Sequence, residues 1–258
     1  MARELSSISR FGLTEPFELQ VARGQITGHR SVSVFGYNPD VDQTRVTVWP
    51  HTGILPLIPS AIQLKVSSSS ADDNSSGTGA RTVFLAGLDA NHREISETVT
   101  LNGQTAVLTS KSYLHINNAY VATAGSGLSA AGDIYFGDGV VTAGVPTTVY
   151  DLIKFDYNSR ITGSYTIPAG YTGYVSQGLF SAGQPGGSAQ VSGRLMAIGT
   201  DGIRRTIAIT TVNNGTADYA FEYPVAVPEK TTLEATAQGS SNNNEASSLF
   251  VLVLVSNG

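Results

Sequence analysis

The sequence predicts an all-β protein built from two antiparallel β-sandwich domains, Ig-like or jelly-roll-like, preceded by an N-terminal arm. Three observations carry this. Short segments of alternating apolar and polar residues recur along the chain at about 10-residue spacing, with Gly, Pro, Asn and Asp between them. No helical period survives beyond the first 30 residues. At 258 residues with 41% hydrophobic content, the chain is long enough for two ordinary sandwiches and apolar enough to fill their cores.

Residues 1–30 read as an arm with a short helix. Thr14 is placed to N-cap it, Glu15 and Pro16 fall in its first turn, and Gly24 stops it. Phe17, Leu19, Gln20 and Val21 supply its inner face. With Arg3, Arg10 and Phe11, Phe17 forms the set expected to dock on another subunit; the competing reading is a frayed terminus followed by a strand, since FELQVA also alternates.

Residues 31–150 form the first expected sandwich. SVSVFGY ends at the turn Asn38-Pro39-Asp40, and Val46 and Val48 alternate before Pro50, Pro56 and Pro59 break the pattern. Ile62, Leu64 and Val66 share one face of the next strand. SSSSADDNSSGTG is then a polar loop. The stretch from Gly77 to Leu108 reads as a three-stranded meander. Its first turn is Gly87–Asn91. Pairing Ala86 with His92 sets Val83 opposite Ile95 and Arg81 opposite Glu97, which neutralises a lone carboxylate on an apolar face. Its second turn is Asn102-Gly103, a type I′ hairpin signal. Glycines and a proline around 137–146 and fresh strand signals thereafter put the domain boundary at 148–158.

Residues 151–258 form the second expected sandwich. Asp201-Gly202 closes a tight hairpin between Ile198 and Ile203, and Asn213-Asn214-Gly215 turns the chain again. The last strand, Leu249–Val255, is apolar on both faces, so it is expected to lie centrally in its sheet or under another subunit.

Composition narrows the function. Charged residues are 14% and the formal net charge is −5. A charge-poor surface suits a protein held among neighbours, because charge is depleted at interface cores; a robust β-protein with a Thr/Ser-rich exposed face would have the same composition. With no basic block, nucleic acid is not an expected partner. The chain has no cysteine, which excludes thiol catalysis and cysteine metal sites. MARELSSISRFG has no signal-peptide core, and the longest apolar run falls far short of the roughly 20 residues of a membrane helix, so no membrane association is expected.

Chemistry-bearing motifs are missing. His29, His51, His92 and His115 are isolated in sequence, without metal-ligand spacing. There is no nucleophile elbow, and the Gly77-Thr78-Gly79 run precedes a strand rather than a helix. Asp72 and Asp73 are the best Ca²⁺ candidates but lack the spacing of a calcium loop. No cofactor and no enzymatic activity are expected. Trp49, Tyr171 and Tyr174, beside proline turns, are candidate partner or ligand aromatics; the competing reading is that they pin their loops onto the core.

FGYNPDVD (Phe35–Asp42), TVWP, and the run GTGARTV, GLDAN and ISETVTLNGQTAV resemble a family of tailed-bacteriophage virion structural proteins from marine and cyanobacterial phages. YTIPAGYTGYVSQG (Tyr165–Gly178) and YPVAVPEKTTLEATA (Tyr223–Ala237) look similar to the matching β-domain. The resemblance covers about residues 30–255. It implies a virion protein assembled in the host bacterial cytoplasm, homo-oligomeric and in contact with other virion proteins, with no catalytic residues to carry over. A capsid-associated decoration protein is the leading expectation; a neck or tail component such as a collar, adaptor or fibre-base protein, or a host-glycan-binding module, are the alternatives.

Overall fold

The computed structural model describes residues 15–183 and 190–258. After helix α1 (Phe17–Ala22) come β1 (His29–Val41), β2 (Val46–Thr47), β3 (Ile62–Ser68), β4 (Ala80–Leu88), β5 (Glu94–Thr100), β6 (Val107–Tyr113), β7 (His115–Ala124), β8 (Ile134–Thr142) and β9 (Val145–Ile153). The second half holds β10 (Ser164–Thr166), β11 (Tyr171–Gly183), β12 (Gln190–Ile198), β13 (Arg204–Asn213), β14 (Gly215–Val227), β15 (Thr232–Gly239) and β16 (Asn244–Ser256). The protein is all-β and antiparallel, as the alternation predicts.

Two consecutive sandwiches do not describe the arrangement. The strands form four separate sheets, ordered β1-β16-β11-β14, β10-β15-β12-β13 with β2 on β15, β6-β3-β8-β9, and β5-β4-β7. The first two sheets enclose one core, with Val34, Phe180, Leu195, Leu233, Phe250 and Leu252 at its centre. The last two enclose another, centred on Leu64, Val83, Leu85, Tyr113, Ile134 and Phe136.

The domain division at 31–150 is corrected by β1. This strand runs antiparallel to β16 from His29↔Val255 to Asn38↔Ala246, and β2 pairs β15. The segment 29–47 therefore belongs with the C-terminal sheets, and residues from about 58 to 153 are inserted between the parts of that unit. The reason is visible in β16. Its inner residues Phe250, Leu252 and Leu254 are buried, and a long strand this apolar is a poor edge strand, because an open hydrophobic edge invites other chains. β1 and β11 cover its two edges, so its central position agrees with the sequence reading.

The three-stranded meander is also corrected. β4 and β5 do form a hairpin, closed by the Asp89 N–H to the Arg93 carbonyl and by Asp89 Oδ1 accepting from the Asn91 and Arg93 N–H groups. The third strand of that sheet, however, is β7, whereas β6 pairs β3 in another sheet. Asn102-Gly103 is thus a crossing between sheets. Gly103, at φ 59°, donates to the Asp73 carbonyl and accepts from the Ser68 N–H. A Cβ there would lie 3.0 Å from the Ala71 carbonyl oxygen, so close approach and positive φ both demand glycine.

α1 stops at Gly24 (φ 68°) as expected, but its N-cap residue is Pro16 and carries no side-chain cap. It buries Gln20 and Val21 and leaves Phe17 and Leu19 about half exposed.

Candidate interaction faces

The docking set of the arm is only partly visible: Arg3, Arg10 and Phe11 lie outside the described residues, and Phe17 is exposed with its ring edge-on to His29 at 6.0 Å. Of the candidate aromatics, Trp49 is buried, 1% exposed, and donates from Nε1 to the Gly53 carbonyl at 3.0 Å. It packs with Leu55, Tyr135, Val149 and Leu152, so it pins the proline-rich loop to β8 and β9 and offers no ligand surface. Tyr171 is half-buried against the first core, with the Arg30 guanidinium 4.8 Å from its ring centroid. Tyr174 is half-buried, opposite Val253.

Arg81 and Glu97 do not pair. The turn starts two residues later than the sequence reading placed it, which shifts the register by four and sets Glu97 opposite Leu85. Arg81 donates to the Gly77 carbonyl. Glu97 reaches across to β6, where its carboxylate accepts from the Ser110 N–H (2.7 Å) and hydroxyl (2.8 Å), the Lys111 N–H (3.0 Å) and the Tyr113 hydroxyl (3.1 Å). Burial alone would raise its pKa. The donors of Ser110, Lys111 and Tyr113 outweigh that and hold the carboxyl below its usual range.

Asp73 is fully buried. Its Oδ1 accepts from the Ala80 and Ala131 N–H groups, and its Oδ2 from the Ser68 hydroxyl and the Gly132 N–H. Four donors occupy its lone pairs, so this carboxylate latches the 67–79 loop to its neighbours and has nothing left for Ca²⁺. Among the described residues no group of three or more His, Asp or Glu is placed to hold a metal.

A histidine pair has no signal in the sequence. His92, at the β4–β5 turn, and His115, at the start of β7, lie 5.2 Å apart between ring centroids. Burial, then the neighbouring His92, push His115 down to about 4. His92 is lowered by burial and then by Lys230. Nor does the sequence join Arg30 to Glu94, which meet at 2.6 Å across the two halves. The partners are far apart in sequence, and no local pattern reports such contacts.

Two outward sheet faces remain. On the first sheet, Phe35, Leu249 and Leu179 form a row across β1, β16 and β11, flanked by Val251, Val253 and Tyr174. Phe35 is 57% exposed. Asp218, opposite Leu179 on β14, brings the first charge beside this row. On the β5-β4-β7 sheet, Phe84 stacks on Tyr120 at 4.9 Å and 27°, next to a Thr82–Thr123 hydroxyl bond and exposed Ser96, Thr98 and Thr100. Both faces present apolar side chains at the protein surface.

No protein-family model matches the chain, and no curated protein does. Solved structures similar to it include the Gx strain of infectious bursal disease virus, at 12% identity over 89% of this chain and 73% of that one with a TM-score of 0.25. T=1 particles derived from infectious bursal virus follow, at 12% identity, 90% and 71% coverage and a TM-score of 0.26. The PBSX exported protein XepA matches at 11% identity, 93% and 89% coverage and a TM-score of 0.19. Likenesses at these scores carry no argument for this chain.

Proposed function

We propose that this chain is a structural protein of a tailed-bacteriophage virion, a capsid-associated decoration protein that acts through protein–protein contacts and not as an enzyme. The observation that carries this reading is the outward face of β1, β16 and β11, where Phe35, Leu179, Leu249, Val251 and Val253 form an apolar surface without a central charge. A lone exposed apolar residue means little, but a contiguous patch framed by polar residues marks an interaction site. The virion context comes from the motifs FGYNPDVD, GTGARTV and ISETVTLNGQTAV. Organisation around two cores gives the chain one half to seat on the particle and another to present outward.

Quantitative mass spectrometry of purified virions tests the placement. A copy number comparable with that of the major capsid protein supports decoration. A small fixed number, as a portal or tail ring sets, moves the protein to the neck or tail. Absence from virions ends the reading. A glycan array addresses the receptor alternative, of whose three sequence-derived aromatics Trp49 is spent on its loop and Tyr171 on Arg30, leaving Tyr174 beside the outward row.

A further inference from the structure

We infer that the outer edge of β13 is a self-association site, where two copies of this chain join edge to edge as antiparallel strands. The first two sheets end side by side in β13 and β14, which are linked by the Asn213–Gly215 turn. A free strand edge presents unpaired N–H and C=O groups and invites another strand unless something blocks it. β14 is blocked. Its residues Phe221 to Pro224 stand opposite Ser176 alone, between the Val175↔Val225 and Gln177↔Ala220 pairs. This bulge carries a proline and a charge, the usual protections of an edge.

β13 has little such protection. It pairs β12 on one side, and no described strand pairs its other side. The run Thr206–Val212, TIAITTV, contains neither charge nor proline, and Ile209 is 63% exposed. Its single bulge residue, Ile207, lies near the start, leaving Ala208–Asn213 in regular register. The two arginines that precede it are already engaged, Arg204 with Glu234 at 3.2 Å and Arg205 with Asp201 at 2.7 Å. They therefore do not call for an acidic peptide.

An uncharged edge is compatible with itself. In antiparallel pairing about a two-fold axis within Ile209–Thr211, Arg204 and Arg205 fall opposite Asn213 or beyond it and never face their own copies, whereas in-register parallel pairing would set Arg on Arg. Pairing joins the two β10-β15-β12-β13 sheets into one continuous sheet. This inference does not rest on the virion assignment, because it concerns the isolated protein.

The test uses purified full-length protein at micromolar concentration. Light scattering after gel filtration should give a dimer mass for the wild type and a monomer mass for the Ile209→Lys/Thr211→Lys variant, which should keep the wild-type circular dichroism spectrum and a cooperative unfolding transition, since both side chains are exposed, and should lose only the concentration-dependent part of the wild type's stability. The chain has no cysteine, so single cysteines at Ala208, Ile209, Thr210 and Thr211 report cleanly. Oxidation should cross-link at the position nearest the two-fold axis and fall away at its neighbours. A monomeric wild type, a dimer that survives the double lysine variant, or no cross-link at any of the four positions overturns the proposal. Virion incorporation is a separate readout, so failure of the dimer and failure of the virion reading remain distinguishable.

Discussion

Asp151 and Arg160 form a buried ion pair where the two halves of the chain meet. Arg160 Nε lies 2.5 Å from Asp151 Oδ2, and the side chains are 5% and 1% exposed. The other oxygen of Asp151 accepts from the Thr162 hydroxyl at 2.6 Å and the Leu152 N–H at 2.9 Å. Arg160 Nη1 donates to the carbonyls of Thr162 and Ser164. The pair fastens the end of β9 to the segment that leads into β10.

Removing one partner strands the other charge without water. Asp151→Ala is therefore expected to lower unfolding free energy by about 3–5 kcal/mol, and a Asp151→Leu/Arg160→Met double variant to lose less than that single one. Chemical denaturation of both variants decides it. A double variant no more stable than Asp151→Ala would show that the pair's charges are not what makes the single change costly.

Glu97 supplies a second prediction, opposed to the sequence reading. Its donors are Ser110, Lys111 and Tyr113 on β6, and Arg81 is bonded to Gly77. Glu97→Ala should cost roughly 1–3 kcal/mol, because it leaves several donors without an acceptor. Arg81→Ala should fall within about 0.5 kcal/mol of wild type, and the double variant should be additive. Because the folded carboxyl sits below its usual range, Glu97's contribution is present above the unfolded carboxyl's pKa. It is lost as pH falls through the folded value. A coupling well above the additive limit between positions 81 and 97 would restore the original pairing.

These two sites show what the sequence could and could not say. Strand positions were largely legible, because each strand carries its own alternation and turns such as Asp201-Gly202 (φ 72° at Gly202) are local chemistry. The central placement of β16 was legible because apolar residues on both faces leave a strand few other places. Sheet membership was not. Asn102-Gly103 satisfies the rule for a hairpin, yet positive φ at a glycine serves a crossing between sheets equally well. The pairing of β1 with β16 joins residues at opposite ends of the chain, beyond any local pattern. Register failed by four residues with the faces intact: alternation fixes which side a residue points to, and only the turn fixes its partner. Of the candidate site residues, Trp49 illustrates the same limit. Its place beside proline turns was clear, but its burial depended on β8 and β9.

The histidine pair predicts how stability responds to acid. An unfolded histidine titrates near 6.5. His115 is pushed down to about 4 by burial and by His92, and His92 is itself lowered by burial and then by Lys230, with Asp89 and Glu229 favouring its charge. A depressed folded value means that the unfolded chain takes up the proton first. Stability is full above the unfolded pKa and falls as pH drops from about 6.5 toward 4, by up to about 3 kcal/mol from His115 alone. Denaturation midpoints measured across that window should decline, and His115→Gln should flatten the decline. An unchanged slope in the variant would assign the acid sensitivity to other groups.

The outward face of the first sheet gives the prediction closest to function. Phe35 is 57% exposed and stands opposite Leu249, with Leu179 the next side chain in the row. A substitution there barely touches the core, since the inner residues of β1 and β16, Val34 and Phe250, point the other way. Phe35→Asp should therefore leave the thermal midpoint nearly unchanged, consistent with surface substitutions staying within about 0.5 kcal/mol. The new carboxylate would nonetheless have to be desolvated for an apolar partner to seat on the row, a cost of several kcal/mol for an unpaired charge. Incorporation into particles assembled with the variant, read by quantitative mass spectrometry against the major capsid protein, should drop by at least tenfold. The same measurement on Thr98→Asp, on the exposed face of β5, separates the two sheet faces. If Phe35→Asp virions carry the wild-type copy number and Thr98→Asp virions do not, the contact surface is the Phe84–Tyr120 face and not the row led by Phe35.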